Sequence, residues 1–567
     1  MFIAMIPNRK SPPAILLRES YREGAHVRTR TLANLSSLSA AQIEIMRGAL
    51  KGEAWVRAED ACTIEESLPH GHVRAILGTV RRLGLDDMIA SKPCRERDIV
   101  VGMIAERLLH GTSKLAATRL WHSTTLATEL GVQDADVNEV YAAMDWLVAR
   151  QKRIEAKLAA RHLSNGSAVY YDLTSSYYEG AHCPLAKYGY GRDGKRGLPI
   201  IEYGVLTDRC GRPLAISVYE GGTSDSETVA DQLDRVRTTF GLDRVVFVGD
   251  RGMLTETQLD LVKTQQGIGW VTALRATAIQ KLAAEGCVQM SLFDKHNLAE
   301  VRSPEYPDER LVVCYNPLMA EKRRRTRDEL LAATEVRLEM VRRTVARRTK
   351  TPLGRAEIGV RVGKEVNRHK MGKHFALKIE DGALSWERKG GSIEKEAALD
   401  GIYVIRTSEP ASRMSAEDAV RTYKNLAETE RVFRGMKGVS NHVRPIFHRA
   451  VPRVGAHLFV SMLAFYVEWH MREALKPLLF EDEDRREVNA MRDPVAAACP
   501  SASARRKKQS LRAQGGQAAH SFRTLLEALA LQCRNRCRFG ADAAAVTVMR
   551  TTETNAFQAK VFEMLKL

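Results

Sequence analysis

At about residue 165 the spacing of apolar side chains changes from helical to alternating, and the first segment after the change has an aspartate at its centre. "SAVYYDLTSSYYEG", "PIIEYGVLTD" and "PLAISVYEGG" read as three strands, the last two joined by the turn "DRCGR". The helical segment "DSETVADQLDRVRTTFG" then leads to the strand "RVVFVGD", and another helix leads to "GWVTAL". A meander of three strands followed by helix and strand in alternation requires a mixed sheet with helices laid on its faces, because parallel neighbours need a crossover connection.

That order is the order of a ribonuclease H-like α/β domain, and the rest of the chain is read around it. With 567 residues the chain exceeds one ordinary core, and roughly two to four domains are expected. Residues 1–165 read as an N-terminal DNA-binding region. It opens with a small basic β-ribbon in "FIAMI", "AILLRESYRE" and "HVRTRTL", and a capping box of Ser39 and Gln42 starts a helix after it. Helical patterns follow, for which a helix-turn-helix and a bundle with a solvated basic face are equally open. Residues 166–274 are the first part of the core. An α+β insertion is expected over 275–400, carrying the basic helix "KRRRTRDELLAATEVRLEMVRRTVARRTK" and the strand-like "HFALKIEDGALSWERK". The core resumes over 401–480 with the strand "GIYVIRT" and a helix opened by Ser415, with Asp418 in the capping position. Residues 481–567 read as a flexible linker, "CPSASARRKKQSLRAQGGQAAH", and a small C-terminal helical segment.

The balance of charge narrows the partner. Lysine and arginine number 87 against 69 acids, a net charge of +18, which favours a polyanion such as DNA, RNA or an anionic membrane surface. The apolar stretch "HLFVSMLAFYVEWH" contains Glu468 and is too short to span a bilayer, so it reads as a buried core helix. "MFIAMIPNRKSPPAILLRES" has neither a basic leader nor a cleavage pattern, and among the nine cysteines only Cys533 and Cys537 are close in sequence. A reduced, cytoplasmic chain without structural zinc or a membrane anchor is the expectation.

Three carboxylates are candidates for chemistry. Asp172 lies inside the apolar strand "VYYDLTSS", where a charge is costly unless it is paired or binds a cation. Asp250 ends "VVFVGD", where strand gives way to a glycine turn and where open α/β sheets place their ligands. The third comes from "YKNLAETERVFRGMK". At about 100° per residue, Tyr423, Leu426, Glu430, Phe433 and Lys437 share one helix face, while Glu428 shares another with Val432, Met436 and Val439. Periodicity alone does not say which stripe is buried. Two strand acids and one helix acid suit hard divalent ions with oxygen ligands, magnesium above all. A pair of such ions about 3.5–4 Å apart can activate water or a sugar hydroxyl and stabilise the leaving oxygen of a phosphodiester. "GYGRDG", Gly189 to Gly194, fits a dinucleotide-binding pattern literally, but it precedes a strand and reads better as a basic, mobile glycine loop. Asp193 in that loop and Asp225 in "GGTSDSET" read more cheaply as a loop acid and a helix N-cap than as metal ligands.

Taken in order, "YYDLTSSYYEG", "VFVGDRGMLT" and "YKNLAETERVFRGMK", with a large insertion before the last, resemble the DDE transposases of bacterial insertion sequences. More narrowly they are similar to the branch with a Tyr-Arg-Glu-Lys signature, the IS-four-like superfamily. The likeness extends through "GYGRDGKRGLPIIEYG", "GGTSDSETV", "LLRESYREG" and "HGTSKLA", and so covers most of the chain. It implies an RNase H-like catalytic core with Asp172, Asp250 and Glu430 as the metal-binding triad, holding two magnesium ions for which manganese can substitute. It also implies that Tyr423 and Lys437 contact phosphates near the scissile bond. The signature's arginine falls at Leu426, and Lys424 and Arg431 are the nearby candidates to replace it.

The reaction implied is hydrolysis at the element's 3′ ends followed by attack of the freed hydroxyl on target DNA, with no nucleotide cofactor. The implied partners are double-stranded element ends, target DNA and a second copy of the chain in a homodimer on DNA. Rival readings are a related metal nuclease without strand transfer and a non-catalytic or decayed end-binding protein. A membrane-surface protein is disfavoured, because the basic residues are spread over several domains.

Overall fold

The computed structural model describes residues 1–9, 11–53, 62–288, 293, 297–438, 441–513, 515–539 and 546–567. The chain separates into two compact units, Met1–His70 with Leu531–Thr554, and Gly71–Ala530 with Asn555–Leu567. This division does not follow the change of period near residue 165. The helices Gly71–Arg82, Arg95–Leu109 and Val137–Val148 bury their apolar faces in the same core as one face of the large sheet.

In the first unit, β1 (Phe2–Ile6), β2 (Ala14–Glu23) and β3 (His26–Asn34) form an antiparallel sheet in that order. Gly24, with φ +64°, makes the tight turn between β2 and β3, a conformation glycine adopts without a Cβ clash. Ser39 caps the helix Ala40–Leu50, its hydroxyl accepting from the Gln42 amide at 3.3 Å while the Gln42 side chain accepts from the Ser39 amide at 2.9 Å. The strand β4 (Cys62–Pro69) follows.

The second unit is built on an eight-stranded sheet. Its first members are β5 (Ala168–Tyr177), β6 (Ile200–Thr207), β7 (Pro213–Tyr219), β8 (Val245–Val248) and β9 (Ile268–Ala273). Then come β10 (Leu298–Val301), β11 (Arg310–Tyr315), a separate hairpin of β12 (Phe375–Glu380) and β13 (Ala383–Arg388), and β14 (Ile402–Thr407). The sheet order is β10-β11-β14-β9-β8-β5-β6-β7, parallel at β5–β8 and β8–β9 and antiparallel elsewhere. It is a mixed sheet flanked by helices. Alternation along β5 sends Val169, Tyr171 and Leu173 into the larger core, while Tyr170 packs with Val246, Val248, Ala419 and Val420 on the other face.

The expected insertion, 275–400, divides in two. β10 and β11 join the main sheet through β14, because Leu311 and Val313 pack into one apolar layer and Val312 and Cys314 into another. Only the long basic helix Pro317–Ala346, the helix Arg355–Arg368 and the β12–β13 hairpin form a cluster of their own.

The helix Val451–Leu475 is buried without interruption from Ala456 to Glu468, and the Glu468 carboxylate accepts from Arg472 at 2.7 Å. Among the described residues no helix is long and apolar enough to cross a membrane. The segment read as a flexible linker holds the helix Ala502–Ser510, tied down by Lys507. Its ammonium is 1% exposed and donates to the carbonyls of Lys476 at 2.7 Å and Glu481 at 3.1 Å. Nor is the C-terminal segment wholly helical: β15 (Cys533–Phe539) pairs with both β4 and β16 (Val546–Thr551) in the first unit.

Candidate active site

The last rung between the parallel strands β5 and β8 is Tyr170↔Val248. Asp172 lies two residues beyond it on β5, and Asp250 lies two residues beyond it in the turn that follows the end of β8. Asp172 Oδ1 accepts from the Leu173 amide at 2.9 Å. Burial pushes its carboxyl up to about 7, and the charges of Asp250 and Asp225 add to the rise against the opposing Leu173 amide and Arg192. Asp250 Oδ1 accepts from the amides of Gly252 and Met253, both at 2.8 Å, so the turn after β8 is closed by the acid itself.

The segment carrying the third acid is two helices, Ala416–Lys424 and Leu426–Lys437, joined at Asn425. Ser415 is the cap, accepting from the Asp418 amide at 3.1 Å. Thr429, Val432, Phe433 and Met436 are the buried face of the second helix. The two glutamates on that helix differ: half-buried Glu428 is ion-paired with Arg485 and, at 3.7 Å, with Arg431. Glu430 is exposed and has no ion pair among the described residues. Val439, on the Glu428 stripe by sequence, lies outside the described residues.

Tyr423 connects the helices to the strand acids. Burial pushes its phenol up to about 12, with the charges of Asp250 and Glu430 adding to the rise and Arg251 opposing it. Lys437 is anchored at the other end of the site. Its ammonium donates to Thr174 Oγ1 at 2.7 Å, to the Ser175 carbonyl at 2.5 Å and to Asp193 Oδ1 at 2.9 Å. The charge of Asp250 thus acts on both Asp172 and Tyr423, that of Glu430 acts on Tyr423, and Lys437 is set two positions along β5 from Asp172. Among the described residues no group of three or more His, Cys, Asp or Glu side chains is gathered closely enough to hold a metal ion.

The glycine loop, read from sequence as basic and mobile, makes specific contacts with the core. Its Arg192 amide donates to Ser175 Oγ at 3.1 Å, and the Arg192 guanidinium binds the Leu173 carbonyl and Asp225. Asp193 is ion-paired with Lys437 and with Arg444 at 2.5 Å. Ser224, not Asp225, caps the turn that follows, in a capping box with Glu227. Sequence reasoning missed Arg444, which lies past the helix end with no periodic signal, and Glu202, a buried acid in the middle of β6. Of the candidates to replace the signature arginine, Lys424 donates to the carbonyls of Pro494 at 2.5 Å and Val495 at 3.0 Å, and Arg431 pairs with Glu428.

The comparisons add one match in sequence. Residues 4–62 match the N-terminal domain of IS1634 family transposases. That match begins within β1 and takes in β2, β3 and the helix capped by Ser39, and it supports an insertion-sequence transposase. No curated protein gives a significant match. Among solved structures, a piggyBac transposase synaptic complex with hairpin DNA, determined by cryo-EM, aligns over 81% of this chain and 76% of that one, at 9% identity and a TM-score of 0.34.

Proposed function

We propose that the chain is a DDE transposase of an insertion sequence, with an RNase H-like core, that cuts DNA at the element's ends and joins them to target DNA. The observation that carries this reading is the pairing of the N-terminal match to IS1634 family transposases with Asp172 on β5, Asp250 just past the end of the adjacent parallel strand β8, and a third acid on the helix whose Lys437 reaches β5. The meander β5-β6-β7 with β8 and β9 parallel to β5 supports the RNase H-like assignment.

Asp172, Asp250 and Glu430 would hold two divalent ions, magnesium first. The donors fit in kind, since all are hard oxygens and the raised Asp172 carboxyl is a charge in want of a cation. When bound, the ions would supply activated water and stabilisation of the leaving oxygen. The reading requires the exposed Glu430 carboxylate to close on the other two. Tyr423 then stands beside Asp250, placed to orient a phosphate, and Lys437 supplies positive charge further along the backbone. The partners would be double-stranded element ends, target DNA and a second copy of the chain.

The test is magnesium-dependent cleavage of a duplex carrying the gene's flanking ends. Cutting at the 3′ ends and joining to a second duplex supports the proposal. Cutting without joining would leave a nuclease, and binding without cutting would leave an end-binding protein.

A further inference from the structure

We infer that Lys437, Arg444 and the Thr174 hydroxyl form a phosphodiester-binding site that the loop 187–199 fills with its own Asp193 carboxylate until DNA displaces it. The inference rests on the DNA-processing role proposed above and adds to it a residue that holds the site closed.

Two cations converge on one oxygen: Asp193 Oδ1 lies 2.9 Å from Lys437 Nζ and 2.5 Å from Arg444 Nη1. The group they hold is 4% exposed, and Lys437 itself is 11% exposed. Arg444 is 34% exposed and keeps one side of the pair open to solvent. Two converging cations of this kind recognise a phosphate oxygen, and a carboxylate is its nearest equivalent among side chains. The fit of the carboxylate is incomplete. Asp193 Oδ2 is buried and has no hydrogen-bond partner among the described residues, so the closed arrangement is held at a cost that a better anion relieves.

The loop is made to leave. The Tyr188 and Tyr190 side chains are 77% and 88% exposed, although the backbone between them lies close to Ile200 and Gly222. Gly194, at φ +74°, and Gly197, at φ +79°, have no atom within 4 Å of where a Cβ would stand. The loop is held by polar contacts of Arg192 and Asp193, by Lys195 on Glu179 and the Tyr177 ring, and by the Lys187–Ile200 backbone pair, contacts that DNA phosphates would compete for at the cations alone. The location also fits. Thr174 follows Asp172 by two residues on the same face of β5, about 7 Å away. That is on the order of one phosphate-to-phosphate step along a strand, so a phosphate held by Lys437 and Arg444 would neighbour one that passes Asp172.

The test measures binding of a fluorescent duplex of about 30 base pairs, without magnesium, as a function of salt. Removing the competing charge with Asp193→Asn should tighten binding about ten-fold, the expectation for a site closed about nine-tenths of the time. It should also steepen the dependence of log Kd on log salt by about 0.9 for each phosphate newly neutralised. The gain should vanish when Asp193→Asn is combined with Lys437→Ala and Arg444→Ala. Unchanged or weaker binding by Asp193→Asn, with a lowered melting temperature, would identify Asp193 as a structural brace and overturn the inference. Should Asp193→Asn fail to fold, Arg444→Ala decides. It should weaken binding about five-fold and lower the salt slope by about 0.9, and unchanged binding overturns the inference. If the wild-type chain binds no duplex at low salt, the DNA-processing role falls as well, whereas wild-type binding that Asp193→Asn fails to tighten removes the closing residue alone.

Discussion

Glu428 and Glu430 stand two residues apart on one helix, yet Glu428 is ion-paired with Arg485 and Arg431 while Glu430 faces solvent unpaired among the described residues. The first carboxylate therefore has structural partners to lose, and the second has none among the described residues. Glu428→Gln should destabilise the fold by about 1–2 kcal/mol, between the values for exposed and buried pairs, with cleavage retained. Glu430→Gln should melt like the wild type and cut at least about a thousand-fold more slowly. Cleavage rates and melting curves of both variants check this, and the reverse pattern would move the third ligand to Glu428.

Asp172 is expected to show the opposite trade. A carboxylate whose folded pKa is raised to about 7 opposes folding above that pH, so Asp172→Asn should be no less stable than the wild type at pH 8. It should nevertheless fail to respond to magnesium. In the wild type, bound magnesium should raise the melting temperature, by linkage worth about 2.7 kcal/mol at a hundred-fold excess over Kd. A variant that keeps this rise removes Asp172 from the ligand set, whatever its cleavage rate.

Local pattern carried much of this structure. The three N-terminal strands, the Ser39–Gln42 capping box and the order of β5 to β9 all follow from alternation, turn residues and caps, which act within a few residues. Pairing between distant segments left no such trace. β10 and β11 read as insertion because nothing in their own sequence names β14 as a partner, and β15, "CRNRCRF", alternates with too little apolar content to announce a strand that pairs with β4. The break at Asn425 is equally silent, since that residue keeps a helical conformation, φ −67° and ψ −10°. At the site, the cost of a charge in an apolar strand singled out Asp172. Applied to "PIIEYG", the same argument would have found Glu202.

Glu202 supplies a pH dependence. It is 6% exposed, its Oε2 has no hydrogen-bond partner among the described residues, and burial above all, with Asp225 adding, pushes its carboxyl up to about 7 from 4.5 against Arg192 and the Gly222 amide. The folded chain then holds a proton that the unfolded chain has released. Stability attributable to this group should be unaffected below pH 4.5, fall as pH rises from 4.5 to 7, and stay reduced above, by on the order of 2–3 kcal/mol. Thermal unfolding of Glu202→Gln against wild type between pH 5 and pH 8 should give curves that separate as pH rises, with the variant the more stable at pH 8. Parallel curves would show that the carboxyl is solvated in solution. Opposite β6, Ser175 pairs with Glu202, so Glu202 lies on the face away from Asp172, and the substitution should spare cleavage.

The strand that leads to the Tyr423 helix hangs on one buried arginine. Arg406, on β14, is 4% exposed and forks onto Glu309 at 2.7 and 2.8 Å while also donating to Glu256 at 2.5 Å. Removing the cation strands Glu309, itself 2% exposed, with Lys263 at 2.9 Å as its remaining ion pair. Arg406→Met should therefore cost about 3 kcal/mol in urea unfolding, because the buried Glu309 charge is left with the half-exposed Lys263 alone. Adding Glu309→Gln should recover part of that loss, and a double variant no better than the single would show that packing, not charge, fixes the strand. Because β14 is followed within eight residues by Ser415 and the helix that carries Tyr423, the single variant should also slow cleavage more than DNA binding. β14 is held in register against β9 with Thr407 opposite Val271, and the slowed cleavage would report a displaced Tyr423 helix.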